Sequence, residues 1–324
     1  MKRSYILTSV FSLLGSLNAF AQVGAPVMGY VPEGGLIRIM QGIPAAGIVS
    51  NAFDVGRELS LLEVAPNQSV AVAIAAGSGE ALVVILDAHG STVRITAIAG
   101  AAAGASRIVF SPSGTAAALW NGATGHLQVV TGLTSTPSVR DIDASFAGGD
   151  PGSLAVSDDG SWAIASWGQQ VYAFGPDSSV KVLPVSGAVQ ALCFFHSSAN
   201  VAVVMAGQVM TISDIGGGAV PKVIWTDPGD AAASANQLAV GVGASFDNSR
   251  LTVVANTGLL FTFDMATGEG RGADCNCAPA GLAGLGGATF RLMGTNAGAL
   301  RVFDAATNEI WMVPLAVAAD GGQQ

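Results

Sequence analysis

A strand–turn–strand phrase recurs along this chain about every 40 to 50 residues. It reads RIVFSPSGTAAALW at 107–120, SLAVSDDGSWAIAS at 153–166, ALCFFHSSANVAVVM at 191–205 and GASFDNSRLTVVAN at 243–256; a fainter copy, LLEVAPNQSVAVAIA, starts at Leu61. Each copy is an apolar strand, a tight polar turn and a second apolar strand. A repeat of this length built from strands restricts the chain to a propeller or a solenoid, because one such unit buries its faces only by stacking on neighbours.

The segment 105–145 shows the full unit. RIVF, TAAALW, HLQVVTG and SVRDIDA are four strands, here lettered a to d from inside to outside. Ser111-Pro112-Ser113-Gly114 turns a into b, and Asn121-Gly122 opens the next hairpin. Gly, Asn, Asp, Ser and Pro fill such turns because they accept positive φ or preset the bend. The same order recurs at 150–187, 189–227, 237–277 and 280–314, and two further units fit at about 26–55 and 59–100. The strands are near-continuous apolar runs, which suits sheets covered on both faces. A composition that is 50% hydrophobic with 43 glycines agrees. The expected fold is therefore all-β, a single β-propeller of seven four-stranded blades with almost no helix. Six or eight blades is the rival count, because the first and last units are the least regular.

The first unit supplies three strands, VMGYV, LIRIMQG and AGIVS, with no inner strand before them. PLAVAADGG (314–322) is similar to SLAVSDDGS (153–161), an inner strand and its turn. The expectation is that the C-terminal strand closes the ring as strand a of the first blade, removing an open edge. The competing expectation is that 315–324 merely finish the last blade.

Residues 1–21 read as a secretory signal peptide: Lys2 and Arg3, the apolar stretch Tyr5 to Leu17, and the small-x-small site Ala19-Phe20-Ala21 before Gln22. The propeller domain is then 22–324, and the protein is expected to be exported, periplasmic or extracellular. Losing the leader takes Lys+Arg from 13 to 11 against 22 Asp+Glu, a net charge of −11. Such a chain lacks the positive surface that binds nucleic acid or anionic lipid. No membrane insertion is expected after cleavage.

The repeated turns carry a family resemblance. Strand-SPSG-strand and strand-SDDG-strand resemble the SPDG turn of WD-like and TolB-type propeller repeats. TFDMATGE (262–269) and VFDAATNE (302–309) resemble the V-I-D-x-A-T-G-x phrase of YVTN-type propellers of exported bacterial proteins. The resemblance implies a fold and leaves function open, since these families hold scaffolds, assembly factors and some enzymes. True WD repeats begin with Gly-His and end with Trp-Asp, and neither feature is present here.

Little in the sequence carries chemistry. His89, His126 and His196 fall in different units at non-equivalent places, so no metal ligand set is expected. Asp158-Asp159 and Asp247-Asn248 sit in four-residue turns, where backbone roles account for them better than calcium does. Asp141 and Asp143 share a face of an outer strand, an edge that charge protects. No nucleophile elbow, phosphate loop or Ser-His-Asp set can be assembled. Cys275-Asn276-Cys277 leaves three states open: a local disulfide, two unbridged thiols, or a redox or metal role. An extended backbone separates positions two apart by about 6.5–7 Å, so a bridge needs a kink, for which Pro279 is a candidate. Cys193, inside ALCFF, reads as a buried free thiol.

The b–c turns and d–a loops share one end of a propeller. That end is expected to display Asn121, Trp167, Gln169, Asn256 and Asn296, with Trp167 the leading contact residue and a cap on the neighbouring blade as its alternative role. The function expected is a non-catalytic, monomeric binding or scaffolding module without cofactor, meeting another protein or a small ligand through one face. The alternative is a lactonase-like hydrolase or lyase with a site at the channel mouth. Two or more His, Asp, Glu or Arg from different blades at that mouth would favour catalysis.

Overall fold

A computed structural model describes residues 26–43, 46–50, 52, 54–86, 93–227, 238–294 and 299–315. It is a single all-β propeller of seven antiparallel blades. Blade 1 holds β1 (Val27–Glu33), β2 (Leu36–Gln41) and β3 (Ile48–Val49); blade 2 holds β4 (Leu59–Val64), β5 (Val70–Ala75), β6 (Ala81–Leu86) and β7 (Val93–Ala97). Blade 3 is β8 (Arg107–Phe110), β9 (Ala116–Asn121), β10 (His126–Thr131) and β11 (Ser138–Asp143); blade 4 is β12 (Ser153–Val156), β13 (Ala163–Trp167), β14 (Gln170–Phe174) and β15 (Val180–Val182). Blade 5 is β16 (Val189–Phe194), β17 (Val201–Met205), β18 (Gln208–Ser213) and β19 (Val220–Thr226); blade 6 is β20 (Ala239–Ala244), β21 (Arg250–Ala255), β22 (Leu259–Asp264) and β23 (Gly270–Asp274). Blade 7 is β24 (Gly281–Gly286), β25 (Thr289–Met293), β26 (Ala299–Asp304) and β27 (Glu309–Pro314). A three-residue 3-10 turn, Ser145–Ala147, lies between blades 3 and 4.

Strand b of each blade shows why both faces are apolar. Along β5, Val70, Val72 and Ile74 pack toward blade 3, while Ala71, Ala73 and Ala75 pack toward blade 1. The period of two assigns alternate side chains to the two neighbours. Large residues on one side and alanines on the other let twisted sheets approach without voids. Seven buried clusters result, one at each junction between neighbouring blades. The seventh joins Met40 and Val49 of blade 1 to Val302 and Val313 of blade 7, so the array closes into a ring.

The a–b turns repeat one hydrogen-bond plan. The N–H of Ala65, Ser111, Ser157, Phe195 and Ser245 each reaches the carbonyl five residues on. In three of them the opening Ser also accepts through Oγ from that same residue's N–H: Ala116, Trp162 and Arg250. The fourth turn position takes positive φ in Gln68, Gly114, Gly160 and Asn248.

Blade 1 lacks an inner strand among the described residues. Its β1–β2 hairpin lies where β4 begins: a Cβ on Gly35 would stand 3.0 Å from the Leu59 carbonyl. In the complete blades that end carries b–c hairpins, so β1, β2 and β3 take positions b, c and d. The inner edge of β1 is blunted in two ways. Tyr30 donates its N–H to Gln68 Oε1 at 2.6 Å, and two residues on, Pro32 has no N–H to offer. Gln68 Nε2 reaches on to the Gly284 carbonyl at 3.4 Å, linking blade 2 directly to blade 7.

Of the segment expected to close the ring, 314–322, only the first two residues are described. Leu315, which the match to SLAVSDDGS would set inside an inner strand, instead bridges Val49 of β3 in parallel fashion, at the outer side of blade 1. Residues 316–322 of the match, like the proposed leader, lie outside the described residues. No helix among the described residues is long and apolar enough to cross a membrane.

Candidate functional site

The inner strands β4, β8, β12, β16, β20 and β24 line a central channel of about 440 Å³. Glu63 and Arg107, from different blades, stand in its wall with Ser106, Ser153, Gln190 and Cys193. Two of these polar groups join blade to blade. Arg107 Nη1 donates to the Pro151 carbonyl at 3.0 Å, and burial lowers its pKa. Gln190 Oε1 accepts from the Ala239 N–H at 2.9 Å. Cys193 is unbridged, and burial pushes its thiol up to about 12, which removes it as a nucleophile at neutral pH.

At the end carrying b–c turns and d–a loops, blades 3 and 4 build an aromatic cluster. Trp120 is buried and donates Nε1 to Asp150 Oδ1 at 2.7 Å. Trp167, half-buried, meets Trp120 edge-on at 5.7 Å and Tyr172 at 5.9 Å, and donates Nε1 to the Gly149 carbonyl at 3.0 Å. Above them Phe146 is 57% exposed, edge-on to Tyr172 at 5.2 Å. It projects from the loop that carries the chain from blade 3 over blade 4. Asp143, exposed, sits just before it and accepts from Ser145.

The expected face residues divide. Trp167 belongs to the cluster, yet as the packed cap on blade 3 rather than its exposed tip, and Gln169 is exposed beside it. Asn121 is corrected: only 7% exposed, it donates Nδ2 to the Ala103 carbonyl and accepts from the Ala123 and Thr124 N–H groups. Asn256 is half-buried and holds the d–a loop by accepting from the Leu238 N–H. Asn296 and His89 lie outside the described residues. Phe146 went unnoticed in the sequence because SFAGGD reads as an ordinary loop; its one signal is a lone aromatic residue among glycines.

At the opposite end the a–b turns are laced together. Asp158 accepts from Ser113 N–H (2.7 Å) and Oγ (2.6 Å) in blade 3 and from Ser197 N–H (2.7 Å) in blade 5. His196 and Asn248 exchange backbone and amide hydrogen bonds at 2.7 and 3.0 Å. Here the structure assembles a Ser-His-Asp trio that the sequence did not reveal, with Ser197 Oγ 2.9 Å from His196 Nδ1 and His196 Nε2 3.7 Å from Asp158 Oδ2. The aspartate's oxygens are already held by turn donors, and the ring Nε2 is sealed without a hydrogen-bond partner. This is the geometry of a structural lock more than of a charge-oriented base.

Asp159 and Asp247 serve their own turns: Asp247 accepts from Ser245 Oγ, Ser249 N–H and Ser249 Oγ. Asp141 accepts from His126 Nδ1 at 2.7 Å and Gln128 Nε2 at 3.0 Å across the sheet. Cys275 and Cys277 are bridged, which resolves the three states left open. The kink is at Asn276, whose φ of +48° brings the Cα atoms to 5.2 Å; Pro279 is not its cause.

No family model and no curated protein matches the chain. Among solved structures it is similar to the β-propeller domain of Myceliophteria thermophila Cps50 (Swd1), at 16% identity and a TM-score of 0.48, over 67% of this chain and 68% of that one.

Proposed function

We propose that the protein is a non-catalytic binding scaffold that meets a partner protein through the face carrying its b–c turns and d–a loops. The exposed ring of Phe146 on its Tyr172–Trp167 base carries this reading. A large aromatic left outside a tightly packed ring, and braced by other aromatics, has the form of an interface anchor. Asp143 beside it and the formal net charge of −9 favour a partner segment with apolar and basic residues. The fixed blades hold the patch without an ordering cost on binding. Export through the N-terminal leader is part of this proposal.

The test is a photo-crosslinker in place of Phe146, read in intact cells. A discrete adduct that disappears when Tyr172→Ser is added, with the melting temperature within a few degrees of the parent, supports the reading. Failure to form any adduct, with N-terminal sequencing that shows residues 1–21 retained, overturns both the interface and the export.

The hydrolase alternative draws on two observations, the Ser197–His196 contact and the presence of Glu63 and Arg107, from different blades, in the channel wall. Labelling of Ser197 by a fluorophosphonate, abolished by His196→Ala, would revive it.

A further inference from the structure

Beside blade 1, which has no inner strand among the described residues, a cleft of about 550 Å³ opens between the β1–β2 hairpin, β4 and β25. That is within the range of small-ligand pockets. Three charged groups line it: Glu33 of blade 1, which is paired with Arg38, Glu63 of blade 2 and Arg291 of blade 7. Arg291 is only 7% exposed. Among the described residues no acceptor takes a hydrogen bond from its guanidinium, a group with five donors. Glu63 and Arg291 feel each other, Glu63 being the carboxylate that Arg291 faces, but they form no ion pair. Leu61, Met293 and Leu300 supply apolar wall between and around them.

A buried cation without acceptors is costly to keep, and an opposed carboxylate held apart from it leaves room for something between. A simple anion would satisfy Arg291 and be repelled by Glu63. A simple cation would do the reverse. A small zwitterion satisfies both, with a carboxylate on the guanidinium fork and an ammonium on the carboxylate. We propose that this cleft binds an apolar α-amino acid, its carboxylate on Arg291, its ammonium on Glu63 and its side chain against Leu61, Met293 and Leu300. The site is separate from the aromatic cluster of blades 3 and 4 and opens on the same end of the molecule.

The experiment is calorimetry and thermal melting of the full chain with leucine, methionine and phenylalanine as probes, beside N-acetyl-leucine and leucinamide. Expected are binding and a raised melting temperature with the free amino acids, and loss of both with either blocked form. Arg291→Gln should weaken binding by about 30-fold or more, the cost of removing one member of a buried charged contact. Glu63→Gln should weaken leucine and narrow its advantage over N-acetyl-leucine. Should Arg291→Gln not fold, Leu300→Trp fills the cleft while leaving both charges, and is expected to abolish binding without lowering the melting temperature. No shift with any of the three amino acids overturns the proposal. So does equal binding of the blocked forms, or unchanged affinity in Leu300→Trp.

Discussion

Asp159 and Asp247 hold equivalent places in two blades and act alike. Each carboxylate collects the hydroxyl of the serine two before it and the N–H and hydroxyl of the serine two after. At Asp247 those bonds, led by the Ser245 hydroxyl, hold the pKa down at about 2 against an ordinary 3.8. The folded value lies below the unfolded one. The turn's contribution is therefore complete above about pH 4 and is lost as pH falls toward 2. Thermal melts from pH 5 to pH 2.5 should show a drop that is shallower in Asp247→Asn than in the parent. An equal drop in both would remove Asp247 from the acid response. The serine-aspartate turns were legible because their chemistry is local. Asn121 was misread for the opposite reason: its burial comes from the incoming loop at Ala103, which the sequence near Asn121 does not show.

At the scale of the element, β1 is the strand whose context is unusual. Among the described residues it has no inner partner strand, and a side chain reaches its inner edge. Gln68, in the αL region at φ +59°, accepts from Tyr30 N–H and donates to the Ala65 and Gly284 carbonyls. Gln68→Ala leaves the Tyr30 N–H to find another acceptor, and should cost about 1–3 kcal/mol in chemical denaturation. Gln68→Glu keeps the acceptor and loses both donors, so it should fall between. A cost near zero for Gln68→Ala would show that the β1 edge is satisfied without it. The bridged Cys275-Asn276-Cys277 element is a similar case: its composition announced a choice, and the αL conformation of one asparagine decided it.

The whole molecule is held by its seven junctions, of which the one between blades 7 and 1 has the fewest buried residues among those described. It depends on Met40, Val49, Val302 and Val313, all at 0% exposure, and on the Val49–Leu315 bridge. Met40→Ala should cost about 2–5 kcal/mol, and limited proteolysis should then cut blade 1 before the rest. If cleavage instead begins in blades 3 to 5, the ring does not open at this junction.

The sequence by itself determined that this chain is a propeller of repeated four-stranded units, because strand-turn-strand chemistry is local and repeats; the ring fixed their number at seven. It also determined that both faces of each blade are buried, because that demand is written into every strand as a near-continuous apolar run. Only the tertiary structure decided the rest. Bending the row of units into a ring brought blade 7 against blades 1 and 2, so that Gln68 meets Gly284 and Glu63 faces Arg291 across more than two hundred residues of chain. It laid the blade 3–4 loop over blade 4, making Phe146 the exposed tip of an aromatic cluster and Trp167 its base. Those juxtapositions depend on ring curvature and loop paths, which are properties of the closed circle and of no single repeat.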